Sequence, residues 1–286
     1  GFFLRHYFGF YFNKIDLKSI LSFSLPMVPA VLILSSKNLF VRYIVVNYLS
    51  IVDLGYYTIA LQIASILSFV QYGLSSSWRP SLYEMIQKPT YEIEVKRIYN
   101  LFLGITSLVC LVIVFNGKLL LKILTTPAYF PAASIIGFIA VTSMLEIIGQ
   151  ISGCGPVIIK KTKYVSYIEV VASIASIFIF IVIYNYIGII GLAVAFLGGI
   201  LVKFIWGWIL TKKYTQINLN VLPTIFILSI LIIISIIYAT LDISPKVSII
   251  LSIITVGVYG FFHKNYILKG YQFIYRTVSQ LITARK

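Results

Sequence analysis

Residues 24–49 read SLPMVPAVLILSSKNLFVRYIVVNYL. The run is long and apolar enough to cross a bilayer, which takes about 20 such residues. Yet it holds Lys37 and Arg42 and no acid. On insertion scales a cation at mid-membrane costs about 2.5–3.5 kcal/mol, so the two together would cost roughly 5–7 kcal/mol unless water or an anion reaches them. The stretch predicts a membrane span that keeps its charges for a reason.

Seven further runs of the same kind follow. With the first, they cover 22–46, 55–78, 99–117, 131–153, 164–185, 188–210, 222–240 and 247–263. Composition agrees. Hydrophobic residues make up 60% of the chain and charged residues 11%, against about 25% charged in a soluble domain. Mean hydropathy is +0.99. Too few polar side chains exist to cover a globular surface. The predicted fold class is all-α, a polytopic transmembrane helical bundle of about eight spans.

A net charge of +15 would suggest nucleic acid in a soluble protein. No run of five or more Lys and Arg occurs, so no nucleic-acid partner is expected and the charge is read as topology. If residues 5–20 are cytoplasmic, seventeen of the 23 Lys and Arg fall in cytoplasmic segments. Three (Lys118, Lys122, Lys246) fall in outer loops and three (Lys37, Arg42, Lys203) inside spans. Both ends of the chain are then cytoplasmic. Trp78, Trp206 and Trp208 fall at inner ends of spans. Tyr48, Tyr56, Tyr184, Tyr186 and Tyr238 fall near outer ends, where amphipathic rings also settle. The opening GFFLRHYFGF has neither an initiator Met nor the order of a signal peptide, and is read as the tail of an earlier span.

Polar residues inside spans mark candidate sites. At about 100° per residue from Ser35, Asn38 falls at about 300° and Arg42 at about 340°, one polar stripe. Lys37 falls on another face, at about 200°. Arg42 either snorkels to the interface or joins a cavity; Lys37, deeper, is expected to face water or an anion. Pro26 and Pro29 predict a loosened turn upstream. In the second run Gln62, Ser65, Ser68 and Tyr72 share one arc, fit for a cavity lining or interhelical hydrogen bonds. In the fourth, Thr142, Glu146, Gly149, Gln150 and Gly153 form a stripe. Gly149 and Gly153 signal close packing. Glu146 is a functional candidate, or the partner of Lys37 or Arg42. Glu169 is expected to pair with Lys160, Lys161 or Lys163, and Lys203 to snorkel. The mixed stretch 79–98, with Glu92, Glu94, Lys96 and Arg97, predicts a solvated surface helix.

No two of the eight acids form a DD or DxD pair. His6 and His263 lie at opposite ends of the chain. Cys110 and Cys154 have no metal or redox spacing and read as small buried residues. No phosphate loop, nucleophile elbow or zinc signature occurs. Neither catalysis nor a metal or cofactor is expected.

Several segments in order carry a resemblance: FSLPMVPAVL after a basic loop, DLGYYTIALQIASILSFVQYGLSSSWRPSLYE, GKLLLKILTTPAYFPAASII, the basic IIKKTKY, and YNYIGIIGLAVAF. Together they resemble the C-terminal part of polysaccharide repeat-unit flippases, the O-antigen type of the MATE-like exporter superfamily. The resemblance covers almost the whole chain. It implies a cytoplasmic inter-lobe linker at 1–20, a six-helix C-terminal transporter lobe at 21–210, and a cytoplasmic loop at 211–221. A final hairpin at 222–263 and a basic cytoplasmic tail at 264–286 would follow. The polar stretch TKKYTQINLN marks the boundary after the sixth span.

The resemblance further implies a multi-pass protein of the bacterial cytoplasmic membrane. Its substrate would be an undecaprenyl-diphosphate-linked oligosaccharide, flipped outward by alternating access. An N-terminal lobe outside this chain, membrane lipids, a polymerase and a chain-length regulator would be its partners. Lys37 and Arg42 would be the substrate-binding cavity cations, with Ser35, Asn38, Gln62, Glu146 and Gln150 as polar lining. Family members often pair an acid with a base in the first helix of this lobe, whereas SSKNLFVR has no acid. Two alternatives stand beside this reading: a drug or cation antiporter of the same superfamily, and a polytopic polysaccharide polymerase. The second usually carries a large outer loop, which is not expected in this chain.

Overall fold

The computed structural model describes residues 21–257 apart from positions 23, 88, 216, 242 and 245. The expected linker over 1–20, the tail over 264–286 and the end of the eighth run lie outside the described residues, as do the side chains of Lys37 and Asn38. All regular structure among the described residues is helical.

A 3-10 turn, Leu25–Met27, opens into α1, Val28–Tyr48. Pro26 and Pro29 stand in the first turns of these elements, where a missing N–H costs little. α2, Ile51–Ala64, begins on a serine N-cap. Ser50 Oγ accepts the Asp53 N–H at 3.1 Å and donates to Asp53 Oδ2 at 2.6 Å. α3, Ile66–Met85, continues beyond a break at Ser65 with a bend of 41°. The expected span at 55–78 is therefore not one straight helix. Ser65 donates its hydroxyl to the Gln62 carbonyl at 2.6 Å, local bonding of the sort that bends helices.

α4, Tyr91–Leu124, runs 34 residues and overshoots the expected 99–117 at both ends. Its first turn carries the Lys96–Glu92 ion pair at 2.7 Å. A 3-10 segment, Pro127–Ala132, leads into α5, Ala133–Ser152, and a single turn at Gly155–Ile158 follows. The helical stretch Lys163–Tyr214 doubles back at Gly188, where φ is 52° and ψ −128°, a conformation open to glycine alone without strain. It is thus two helices, α6 (163–187) and α7 (189–214). Their pairing is antiparallel from end to end. Gly191 lies against Tyr184, Gly199 against Ser176, and the Tyr214 hydroxyl bonds that of Tyr164 at 3.1 Å. α8 is Leu222–Thr240, and α9 is Lys246–Gly257.

α5 occupies the centre, packed by α2, α4, α6–α7 and α8. Its residues are buried on nearly every side, as expected of a helix apolar all round. A Cβ added to Gly207 of α7 would lie 3.1 Å from the Gly153 Cα at the end of α5. Only two glycines let these backbones come so close. The Gly155 N–H donates to Thr211 Oγ1 at 2.9 Å and locks the same corner. α8 is held on α4 by the Tyr99 and Thr224 hydroxyls, 2.5 Å apart, and by Phe115 and Tyr238 in edge contact at 5.6 Å.

Trp78 departs from its expected place at a membrane interface. It is 5% exposed and forms one buried face of α3 with Leu82 and Met85, at a spacing of four and three residues, packed into the core beside α4. Four described helical runs are long and apolar enough to cross a membrane, or five with the bent pair α2–α3. Each arm of the Lys163–Tyr214 hairpin is itself long enough to do so.

Candidate functional site

Three charged side chains from three helices meet inside the bundle. Lys203 of α7 places Nζ 2.7 Å from Glu169 Oε2 of α6 and 3.8 Å from Glu146 Oε1 of α5. Their side chains are 23%, 10% and 30% exposed, respectively. Glu146 precedes the end of α5 by about as many residues as Glu169 follows the start of α6, so both lie about 9 Å inside their helix ends. Lys203 reaches the same depth from the other arm of the hairpin.

This arrangement corrects two expectations and supplies a partner for a third residue. Glu169 pairs with none of Lys160, Lys161 and Lys163; the hairpin register brings Lys203 opposite instead. Lys203 does not snorkel, because two carboxylates hold it inside. Among the described residues, Glu146 finds its cation on α7. Burying an ion costs several kcal/mol, which is repaid only by close, well-oriented partners. The 2.7 Å contact meets that condition; the 3.8 Å contact is looser. With all three groups ionised, the cluster carries one negative charge in excess.

Beside it runs a cleft of about 270 Å³ between α1 and the α6–α7 hairpin. Ser36 and Ile44 of α1, Ser173 and Ser176 of α6, and Phe196 of α7 line it, and Glu169 stands in its wall. The two α6 serines donate to their own helix, Ser173 to the Glu169 carbonyl at 2.8 Å and Ser176 to the Ala172 carbonyl at 3.0 Å. Glu169 is the one charged group among the described lining residues. Ser166 of α6 donates to the Pro26 carbonyl and fastens the start of α1 at the lysine-rich end. At the far end Tyr48 stacks edge-on to Phe180 at 6.1 Å and to Tyr184 at 5.3 Å. The cleft is thus pinned at both ends and open between them.

The other sequence-predicted positions divide. Ser35 and Arg42 are exposed on α1, on the side away from buried Val41, Ile44 and Val45. Gln62 is exposed on α2, and Gln150 is half-buried on α5; neither is among the described cleft residues. Thr142 is buried and donates to the Phe138 carbonyl at 2.8 Å. Sequence reasoning missed the role of Lys203 and underrated Glu169. The usable signal was their near-equal distance from Gly188 in a hairpin with no polar loop. No protein-family model, curated protein or solved structure matches this chain.

Proposed function

We propose that this chain forms one lobe and a following pair of helices of a membrane transporter, a lobe that turns polyprenol-diphosphate-linked oligosaccharides across the bacterial cytoplasmic membrane by alternating access. Six helices, with α2–α3 as one broken span, would form the lobe. α8 and α9 would complete an eight-span chain with both ends in the cytoplasm. The observation that carries the reading is the Glu146–Lys203–Glu169 cluster, three ions of three helices beside a cleft. Charges at such depth are costly and mark transport pathways by default. The exposed stripe of Ser35 and Arg42 along an apolar helix supports it as well. A second lobe facing that stripe would enclose a hydrated cavity. Arg42 would contact the diphosphate through its guanidinium fork, and Lys37 would act as a point charge.

The test uses the full-length protein in cells that export the polymer. Lys37→Glu with Arg42→Glu is expected to stop export and accumulate lipid-linked repeat units inside. Normal export by that variant overturns the substrate role of these cations.

A second reading, a cation antiporter, is favoured by one observation. Two carboxylates share one ammonium, and one of them, Glu169, stands in the cleft wall. Uptake of a cationic dye by proteoliposomes, abolished by Glu169→Gln, would support it. Lipid-linked sugar accumulation in a knockout would oppose it.

A further inference from the structure

The lysine-rich end of the α6–α7 hairpin carries a second constellation, separate from the ion cluster. Lys160, Lys161 and Lys163 precede or open α6, and Lys212 and Lys213 close α7. The antiparallel hairpin brings both groups to one place. There the Tyr214 hydroxyl donates to Tyr164 at 3.1 Å, with ring centres 5.5 Å apart. The ammonium groups gather over these rings. Lys161 Nζ is 4.8 Å and Lys213 Nζ 5.6 Å from the Tyr214 ring centre. Lys163 Nζ is 5.6 Å from that of Tyr164, and Lys212 Nζ 5.8 Å from that of Trp208.

All five lysines are exposed. Among the described residues, no carboxylate lies within ion-pair distance of any of them, since Glu169 is engaged by Lys203. Five like charges at one end of the hairpin, three of them over the two phenol rings, repel one another, and a partner bearing negative charge relieves that repulsion. Lys160 adopts φ 58°, uncommon outside glycine, at the bend that brings the first three lysines to the surface.

We propose that this cluster is a docking site for the phosphodiester headgroup of an anionic phospholipid in the leaflet that borders this end of the hairpin. The neighbouring surface selects a lipid over a free anion. Exposed Ile205, Trp206 and Ile209 of α7 and Tyr167 of α6 continue from the lysines along the hairpin. They offer acyl chains an apolar wall directly beyond the charge, with aromatic rings at headgroup level. Polybasic segments at the end of a membrane helix attract anionic headgroups in proportion to their charge. The site is independent of any transported substrate.

The experiment is native mass spectrometry of the full chain released from a mixed phosphatidylglycerol and phosphatidylcholine bilayer. Retention of phosphatidylglycerol over phosphatidylcholine by about tenfold is expected. Replacing all five lysines with Gln should bring the ratio close to one. Lys118→Gln with Lys122→Gln, outside the cluster, should leave it unchanged. An unselective wild-type chain, or an undiminished ratio in the five-fold variant, overturns the proposal. Should that variant not fold, photo-reactive phosphatidylglycerol on the wild-type chain decides. Labelling concentrated on peptides 160–167 and 205–214 supports the site; labelling spread evenly over the chain rejects it.

Discussion

Lys203 Nζ stands 2.7 Å from Glu169 Oε2, across two helices that part company only at Gly188. The contact is the tightest ion pair inside the bundle among the described residues. Removing its cation leaves two carboxylates with no ion-pair partner among the described residues. Lys203→Met is therefore expected to destabilise the protein by about 3 kcal/mol. Glu146→Gln, at the looser contact, should cost about 0.5 kcal/mol. Thermal unfolding in lipid nanodiscs measures both. Adding Glu169→Gln to Lys203→Met should restore part of the loss, because one orphaned charge is gone.

Gly188 makes the reversal. An L-residue there must adopt a backbone region closed to side chains, so Gly188→Ala should cost about 1–3 kcal/mol. Unfolding midpoints of the variant and the parent check this.

Gly207 of α7 and Gly149 of α5 should behave oppositely. Gly153 meets Gly207, and a methyl on Gly207 has only backbone to push against. Gly207→Ala should cost about 1–3 kcal/mol through overpacking. Gly149 has open space beside it, so Gly149→Ala should be neutral or stabilise by about 0.5–1 kcal/mol through helix propensity. The same unfolding assay separates the signs.

Ser50 caps α2 through the Asp53 N–H. Ser50→Ala should lower stability by about 0.5–2 kcal/mol, and hydrogen exchange at the α2 N-terminus should rise. Ser50→Thr should retain most of the capping.

In the first turn of α4, outside the expected span, the Glu92 carboxyl is held below its ordinary value. The Lys96 hydrogen bond is the main cause, and the Asn218 backbone N–H adds to it. A lowered carboxyl titration contributes stability above its ordinary value of 4.5, lost as pH falls through the lower folded value. Acidification should therefore loosen the 217–221 segment from α4. Trp208 reports it, because its indole N–H donates to the Leu219 carbonyl at 3.3 Å. Its fluorescence should shift on acidification, and Glu92→Gln should abolish that pH dependence.

The apolar runs were legible because a membrane helix must satisfy its own backbone over a fixed length. α8 falls on the expected 222–240 without adjustment. Less legible was the break at Ser65, where a hydroxyl turned onto its own helix, a choice that hydropathy does not register. Trp78 misled for a related reason: aromatic rings near helix ends serve equally as interface anchors and as core. The charges were harder still. Glu169 has three lysines within nine residues, yet the partner it takes is 34 positions away. Sequence proximity put all four at similar depth, but only the hairpin register decides which faces meet. On α1, Ser35 and Arg42 are exposed, while the side chains of Lys37 and Asn38 lie outside the described residues.

The near-absence of a loop at Gly188 has a consequence for biosynthesis. Glu169 leaves the ribosome first, on a helix whose one cation, Lys163, does not pair with it. Its ammonium follows 34 residues later. The first arm can release its carboxylate into lipid cheaply only once the second arm has been made and folded back. The hairpin should therefore partition from the translocon as a pair, and a chain arrested between the two arms should stall at the channel.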